Sequence, residues 1–104
     1  MRRSGYILVT FMFLKRDRRW EAYCIQLGTA TFGRSLPEAQ EKLREAVTLH
    51  LNTLEDVGER ERFFKKHNIE FYLQKPKRAT VPISSNKRTF LQPYVQPLGR
   101  FVHA

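Results

Sequence analysis

The chain has 104 residues, of which 41% are hydrophobic, 28% charged and 12% aromatic. Such a chain makes one small domain with enough apolar surface for a modest core, which excludes two full domains and general disorder. No apolar run approaches the roughly 18 residues needed to cross a bilayer, and a formal charge of +9 admits polyanionic partners.

From Tyr6 to Leu14 the sequence reads YILVTFMFL, rich in β-branched and aromatic residues, which predicts a strand. Ile7, Val9, Phe11 and Phe13 form one row. Tyr6, Leu8, Met12 and Leu14 form the other, broken only by Thr10, so both faces of this strand are apolar. A polar connection of five residues, Lys15 to Arg19, leads into a second strand over Trp20 to Leu27, giving a β-hairpin. A short third strand follows over Thr29 to Phe32, with Gly28 and Gly33 assigned to turns.

Ser35 and Glu38 then form the S-x-x-E capping box, with Pro37 tolerated in the first helical turn. At 100° per residue, Leu36, Ala39, Leu43, Ala46, Val47, Leu51, Leu54 and Val57 share one stripe. Glu38, Glu41, Glu45 and Asp56 lie on the opposite side, and Gly58 closes the helix. A shorter helix is expected from Glu59 to His67, then a fourth strand from Ile69 to Leu73. The predicted fold class is therefore α+β: a three- to four-stranded antiparallel sheet with one main helix on one face. One helix cannot cover two apolar faces, so the second row of the first strand implies a homo-oligomer, dimer or larger, or another partner.

Residues 1–73 form this domain and residues 74–104 a basic C-terminal arm. The arm carries prolines 76, 82, 93 and 97, which argues against a helix or a central strand. Its apolar residues, among them Phe90, Tyr94, Val95 and Phe101, are too many for a solvated linker. An extended segment that docks on its own sheet, on a sister subunit or on another protein fits this composition.

Sites of chemistry are sparse. His50, His67 and His103 are widely spaced without further ligands at metal-binding intervals, and the helical acids point away from the core, so neither a metal nor a catalytic site is expected and no cofactor is implied. His50 falls in the helix stripe, as a partly buried, hydrogen-bonded histidine. Cys24 lies in a strand without a basic neighbour, as an inert packed thiol. Unable to form an internal disulfide, it favours a cytoplasmic location, as does the lack of a small-residue cleavage site after the apolar run that follows Arg2 and Arg3.

Three segments carry a family likeness: Tyr23-Cys24-Ile25-Gln26-Leu27-Gly28, Gly33-Arg34-Ser35-Leu36-Pro37-Glu38-Ala39, and Leu43-Arg44-Glu45-Ala46-Val47. Together with the first strand they make residues 6–73 resemble the N-terminal domain of HicB-family antitoxins. The resemblance implies a partial RNase H-like β-β-β-α-β fold without nuclease activity, in an oligomeric protein that binds and neutralises a small HicA-type mRNA-cleaving toxin. A basic toxin would meet the acidic helix face at Glu38, Glu41 and Glu45, or the arm at Phe90, Tyr94, Val95 and Phe101.

The charge distribution supports a second reading. Net charge is +5 over residues 1–19, −3 over 20–58, +1 over 59–74 and +6 over 75–104. Basic termini of this kind either keep the tails solvated or neutralise phosphates. In the latter case Arg2, Arg3, Lys75, Lys77, Arg78, Lys87 and Arg88 make the protein a small nucleic-acid-binding regulator.

Overall fold

In the computed structural model, residues 5–77, 83–86 and 88–99 are described. Eight elements follow in order: β1 (Gly5–Arg16), β2 (Arg19–Cys24), β3 (Thr29–Gly33), α1 (Leu36–Asp56), α2 (Arg60–Lys66), β4 (Phe71–Tyr72), β5 (Ile83–Asn86) and β6 (Thr89–Leu98). The chain is a small α+β domain whose antiparallel sheet has the order β3-β2-β1-β6-β5, with β4 also paired to β1.

Alternation along β1 sets the layers. Ile7, Val9, Phe11 and Phe13 are buried, whereas Tyr6, Leu8, Thr10, Met12 and Leu14 are half-exposed. The buried row packs with Ala22 and Cys24 of β2 and with Ala39, Leu43, Val47 and Leu51 of α1, closed at one end by Phe64, Ile69 and Leu98. The fully buried α1 side chains are the i, i+4 centre of the predicted stripe, while Val57, at its end, is 63% exposed. The helix starts as its sequence dictates: Ser35 Oγ accepts from the Glu38 backbone N–H at 3.2 Å. Glu38 Oε1 accepts in return from the Arg34 N–H at 2.7 Å, one residue earlier than the usual reciprocal bond. At the other end Gly58 takes φ 73°, and Glu59 N donates to Leu54 O at 2.8 Å.

The hairpin connection is shorter than expected. Pairing runs through Lys15↔Trp20 to Arg16↔Arg19, leaving a two-residue turn in which Asp17 takes φ 54°. Backbone hydrogen bonds, not apolarity, end a strand, and exposed Lys and Arg continue the ladder at no cost in burial. Conversely β2 stops at Cys24, short of Leu27, because residues 25–28 turn, with Gly28 at φ 70° donating to Cys24 O at 2.9 Å. Gly33 is no turn residue: it pairs with Trp20, is buried, and an added Cβ would lie 2.6 Å from Ala39 N. Only glycine lets the first turn of α1 come this close to the sheet. The fourth strand shrinks to Phe71–Tyr72, opposite Tyr6 and Ile7.

The largest departure lies in the segment expected to be an arm. Residues 89–98 pair with β1 along nearly its whole length, from Gly5↔Leu98 to Leu14↔Thr89, and β5 pairs on their other side, so the sheet exceeds the predicted three or four strands. Of the docking alternatives, the segment's own sheet is the one realised. The prolines fit by phase. Lys15 N donates to Arg88 O at 2.8 Å, so hydrogen-bonded pairs recur at every second residue and Thr10↔Pro93 and Tyr6↔Pro97 fall between them. Thr10 confirms the phase, because its N–H and C=O bond to Gln26 and Ile25 on the other side of β1. The absent N–H of Pro93 and Pro97 therefore faces the outer edge of β6, which β5 covers only opposite residues 89–91. β6 thus lies between β1 and β5, a central position that the prolines were expected to exclude, and among the described residues nothing pairs with its outer edge at Pro93 or Pro97.

Candidate functional site

Pairing through β6 extends one surface. Tyr6, Leu8, Met12 and Leu14 of β1 share it with Tyr23 of β2, Phe32 of β3, and Leu91, Pro93 and Val95 of β6. The main buried cluster lies on the other side of the sheet, and most of these side chains remain half-exposed, Val95 being buried. The second apolar row of β1 is thus widened by its neighbours, and among the described residues no element packs over it.

Charge on this face gathers at one end, where one carboxylate is shared by two arginines. The Glu21 carboxylate accepts from Arg16 Nε at 2.9 Å and from the Tyr23 hydroxyl at 2.8 Å, with Arg19 at 3.6 Å. These contacts, the Tyr23 hydrogen bond foremost, hold the Glu21 carboxyl below its ordinary range, and the same bond raises the Tyr23 phenol. Beside this cluster Phe32 is 47% exposed, with the Arg19 guanidinium 4.8 Å from its ring centroid and Lys42 Nζ 5.7 Å away.

A second feature interrupts the sheet. β2 and β4 leave a gap along one edge of β1, where Gln26 acts as a surrogate strand: its Oε1 accepts from Thr10 N at 2.8 Å and its Nε2 donates to Thr10 Oγ1 at 3.1 Å. The gap opens as a notch of about 550 Å³ bordered by Leu8, Gln26, Phe64, Ile69 and Tyr72.

The residues expected to bind a protein partner do not converge on one surface. Glu38, Glu41 and Glu45 lie along α1, where Glu38 is 3.7 Å from Lys42 and Glu41 2.7 Å from Arg44, so two of the three acids already have basic neighbours. The Arg34 N–H holds the Glu38 carboxyl below its ordinary range. Phe90 and Tyr94 point to the core side, Phe90 5.6 Å from Trp20 and Tyr94 stacked 4.6 Å from Phe11. Val95 faces the opposite way and is buried, and Phe101 lies outside the described residues. Of the expected phosphate contacts, Lys75 and Lys77 are exposed just after β4, beside the start of β1, whereas Arg88 stands beside Lys15 at the other end of the sheet. Arg2, Arg3, Arg78 and Lys87 lie outside the described residues.

No family model, curated protein or solved structure matches this chain.

Among the described residues no group of three His, Cys, Asp or Glu side chains is placed to hold a metal ion, and no helix is long and apolar enough to cross a membrane. His50 is half-buried, its Nδ1 3.0 Å from Thr29 Oγ1, and His67 stacks on Phe63 at 4.2 Å, whereas His103 lies outside the described residues. Cys24 is buried, which pushes its thiol up to about 11. The features that sequence reasoning missed, the Phe32–Arg19 pair and the junction of Lys15 with Arg88, depend on strand partners. The alternation of Ala30 and Phe32 with Thr31 was the only local sign that Phe32 would share a face with Arg19.

Proposed function

We propose that this protein is a cytoplasmic, non-catalytic binding protein of the antitoxin type, which uses the uncovered face of its sheet to mask a small HicA-type mRNA-cleaving toxin. The observation that carries the reading is the apolar face itself. The strands that build it, of 12, 10, 6 and 5 residues, at about 3.3 Å per residue and about 4.8 Å per strand give a surface on the order of 500 Å². One partner of a standard protein interface buries about 800 Å². The resemblance of residues 6–73 to the HicB N-terminal domain, with its partial RNase H-like fold, supplies the identity of the partner. Proline at positions 93 and 97 suits this use, because neither offers an N–H to extend the sheet beyond β6.

The test is co-expression with the small open reading frame beside the gene, then size exclusion with light scattering at high salt. A complex of defined stoichiometry is expected, and Met12→Glu, at the centre of the face, should dissolve it while leaving the circular dichroism unchanged. A homo-oligomer or monomer alone under co-expression would overturn the proposal.

A further inference from the structure

We infer that the outer edge of β3 is a self-association edge: two copies of this chain pair β3 to β3, antiparallel about a two-fold axis at Thr31, and continue one sheet across the dimer. The inference is independent of the toxin reading, which uses the face of the sheet and leaves this edge free.

The ends of the sheet are not alike. At one end β5 is broken by a register shift between Ser84 and Asn86, and the outer edge of β6 beside it carries Pro93 and Pro97. Bulges and prolines both stop a sheet from growing. β3 closes the other end with Thr-Ala-Thr-Phe-Gly, without proline or charge, and among the described residues no strand lies beyond it. Its hydrogen-bond phase follows from the ladder. Lys15 N bonds to Arg88 O, so odd-numbered residues of β1 bond to β6 and even-numbered ones toward β2. Carried across through Met12↔Tyr23 and Ala22↔Thr31, this turns the N–H and C=O of Thr31 toward β2 and those of Ala30 and Phe32 outward.

That phase selects a register. Antiparallel strands exchange bonds in pairs, and one alignment alone lets Ala30 and Phe32 of both copies bond within β3. It sets Ala30 opposite Phe32 of the second copy, Phe32 opposite its Ala30, and Thr31 opposite Thr31. The side chains are self-complementary in this alignment. A small residue meets a large one twice, on the face where Phe32 is 47% exposed, and the two threonines form a cross-strand pair on the helix side. α1 presents a matching flank. Lys42 and His50 face β3, with Lys42 Nζ 5.7 Å from the Phe32 ring and His50 Nδ1 3.0 Å from Thr29 Oγ1. Leu49, two turns on from Lys42, shares that side and is 68% exposed. In the two-fold pair the helices run side by side above the joined strands. The Lys42 stem of one copy then covers Leu49 of the other while its ammonium stays in water. Because the opposite end of the sheet is guarded, growth stops at two copies.

Sedimentation equilibrium of the full chain from about 5 to about 200 μM tests this. An edge of five residues is a small interface, so a monomer–dimer equilibrium with a dissociation constant on the order of tens of micromolar is expected. Ala30→Pro removes only an outward N–H and should weaken association about tenfold or more, with the circular dichroism unchanged. Oxidised glutathione should cross-link Thr31→Cys into a disulfide dimer, because the Cα atoms of a non-hydrogen-bonded pair stand about 4.5 Å apart. Ala30→Cys, two residues out of register with its own copy, should not cross-link. Met12→Glu, on the open face, should leave the equilibrium unchanged. A monomer throughout the range, a dimer dissolved by Met12→Glu and not by Ala30→Pro, or cross-linking of Ala30→Cys in place of Thr31→Cys would each overturn the proposal.

Discussion

Gly33→Ala probes the closest approach between the helix and sheet layers. The added Cβ would lie 2.6 Å from Ala39 N and 3.0 Å from both Ala39 Cα and Glu38 C, all backbone atoms. Ordinary contact begins near 3.4 Å, so relief requires the first turn of α1 to move outward by about 0.8 Å. That shift would pull Ala39 and Leu43, both 0% exposed, away from the sheet. Forced overpacking of this kind costs about 1–3 kcal/mol, and the rigidity of the opposing backbone places this case near 2 kcal/mol or above. For a domain of this size the melting temperature should drop by about 8–16 °C. Thermal and urea unfolding of the purified variant measure it, with Gly28→Ala as the comparison, since that site has nothing within 4 Å and only its φ of +70° to strain. Ala39→Gly should not rescue Gly33→Ala, because the clash is with the Ala39 main chain. A Gly33→Ala variant within about 0.5 kcal/mol of the parent would refute the packing of α1 described above.

Four further outcomes are expected. Ser35→Ala removes the acceptor for the Glu38 N–H and should cost about 1 kcal/mol, measured by urea unfolding. Gln26→Ala strips the Thr10 N–H of its partner inside the notch and should cost about 1–3 kcal/mol, with faster amide exchange at Thr10. The Cys24 thiol, raised from 9.0 to about 11, should hold about 100-fold less thiolate than a free cysteine near pH 8, so iodoacetamide should label it only after unfolding. Because that pKa is raised on folding, the unfolded thiol ionises first, and the contribution of Cys24 to stability should be lost as pH rises from about 9 to 11. The Glu21 carboxyl is depressed in the folded state, so its stabilising contribution is present above its ordinary range and fades as pH falls through the lowered value. Tyr23→Phe should move that midpoint back up in a carbon-13 NMR titration.

Local elements followed from the sequence because their causes are local. The capping pair Ser35 and Glu38 and the i, i+4 recurrence of Ala39, Leu43, Val47 and Leu51 fix α1 wherever it packs, and the two apolar rows of β1 already indicated a face that one helix leaves uncovered. What the tail does was decided by tertiary structure. Whether proline is tolerated in a strand depends on which neighbour its missing N–H would have faced, and residues 89–98 acquire that phase only by pairing with β1, more than seventy positions earlier. The even spacing of Pro93 and Pro97, which turns both toward one edge, was visible; the partner strand that takes the other edge was not. The same holds for Gln26 completing the ladder at Thr10, Gly33 beneath Ala39, and Lys15 beside Arg88. Each is a contact between segments whose separate patterns are satisfied in many arrangements, and only the register of the assembled sheet selects one.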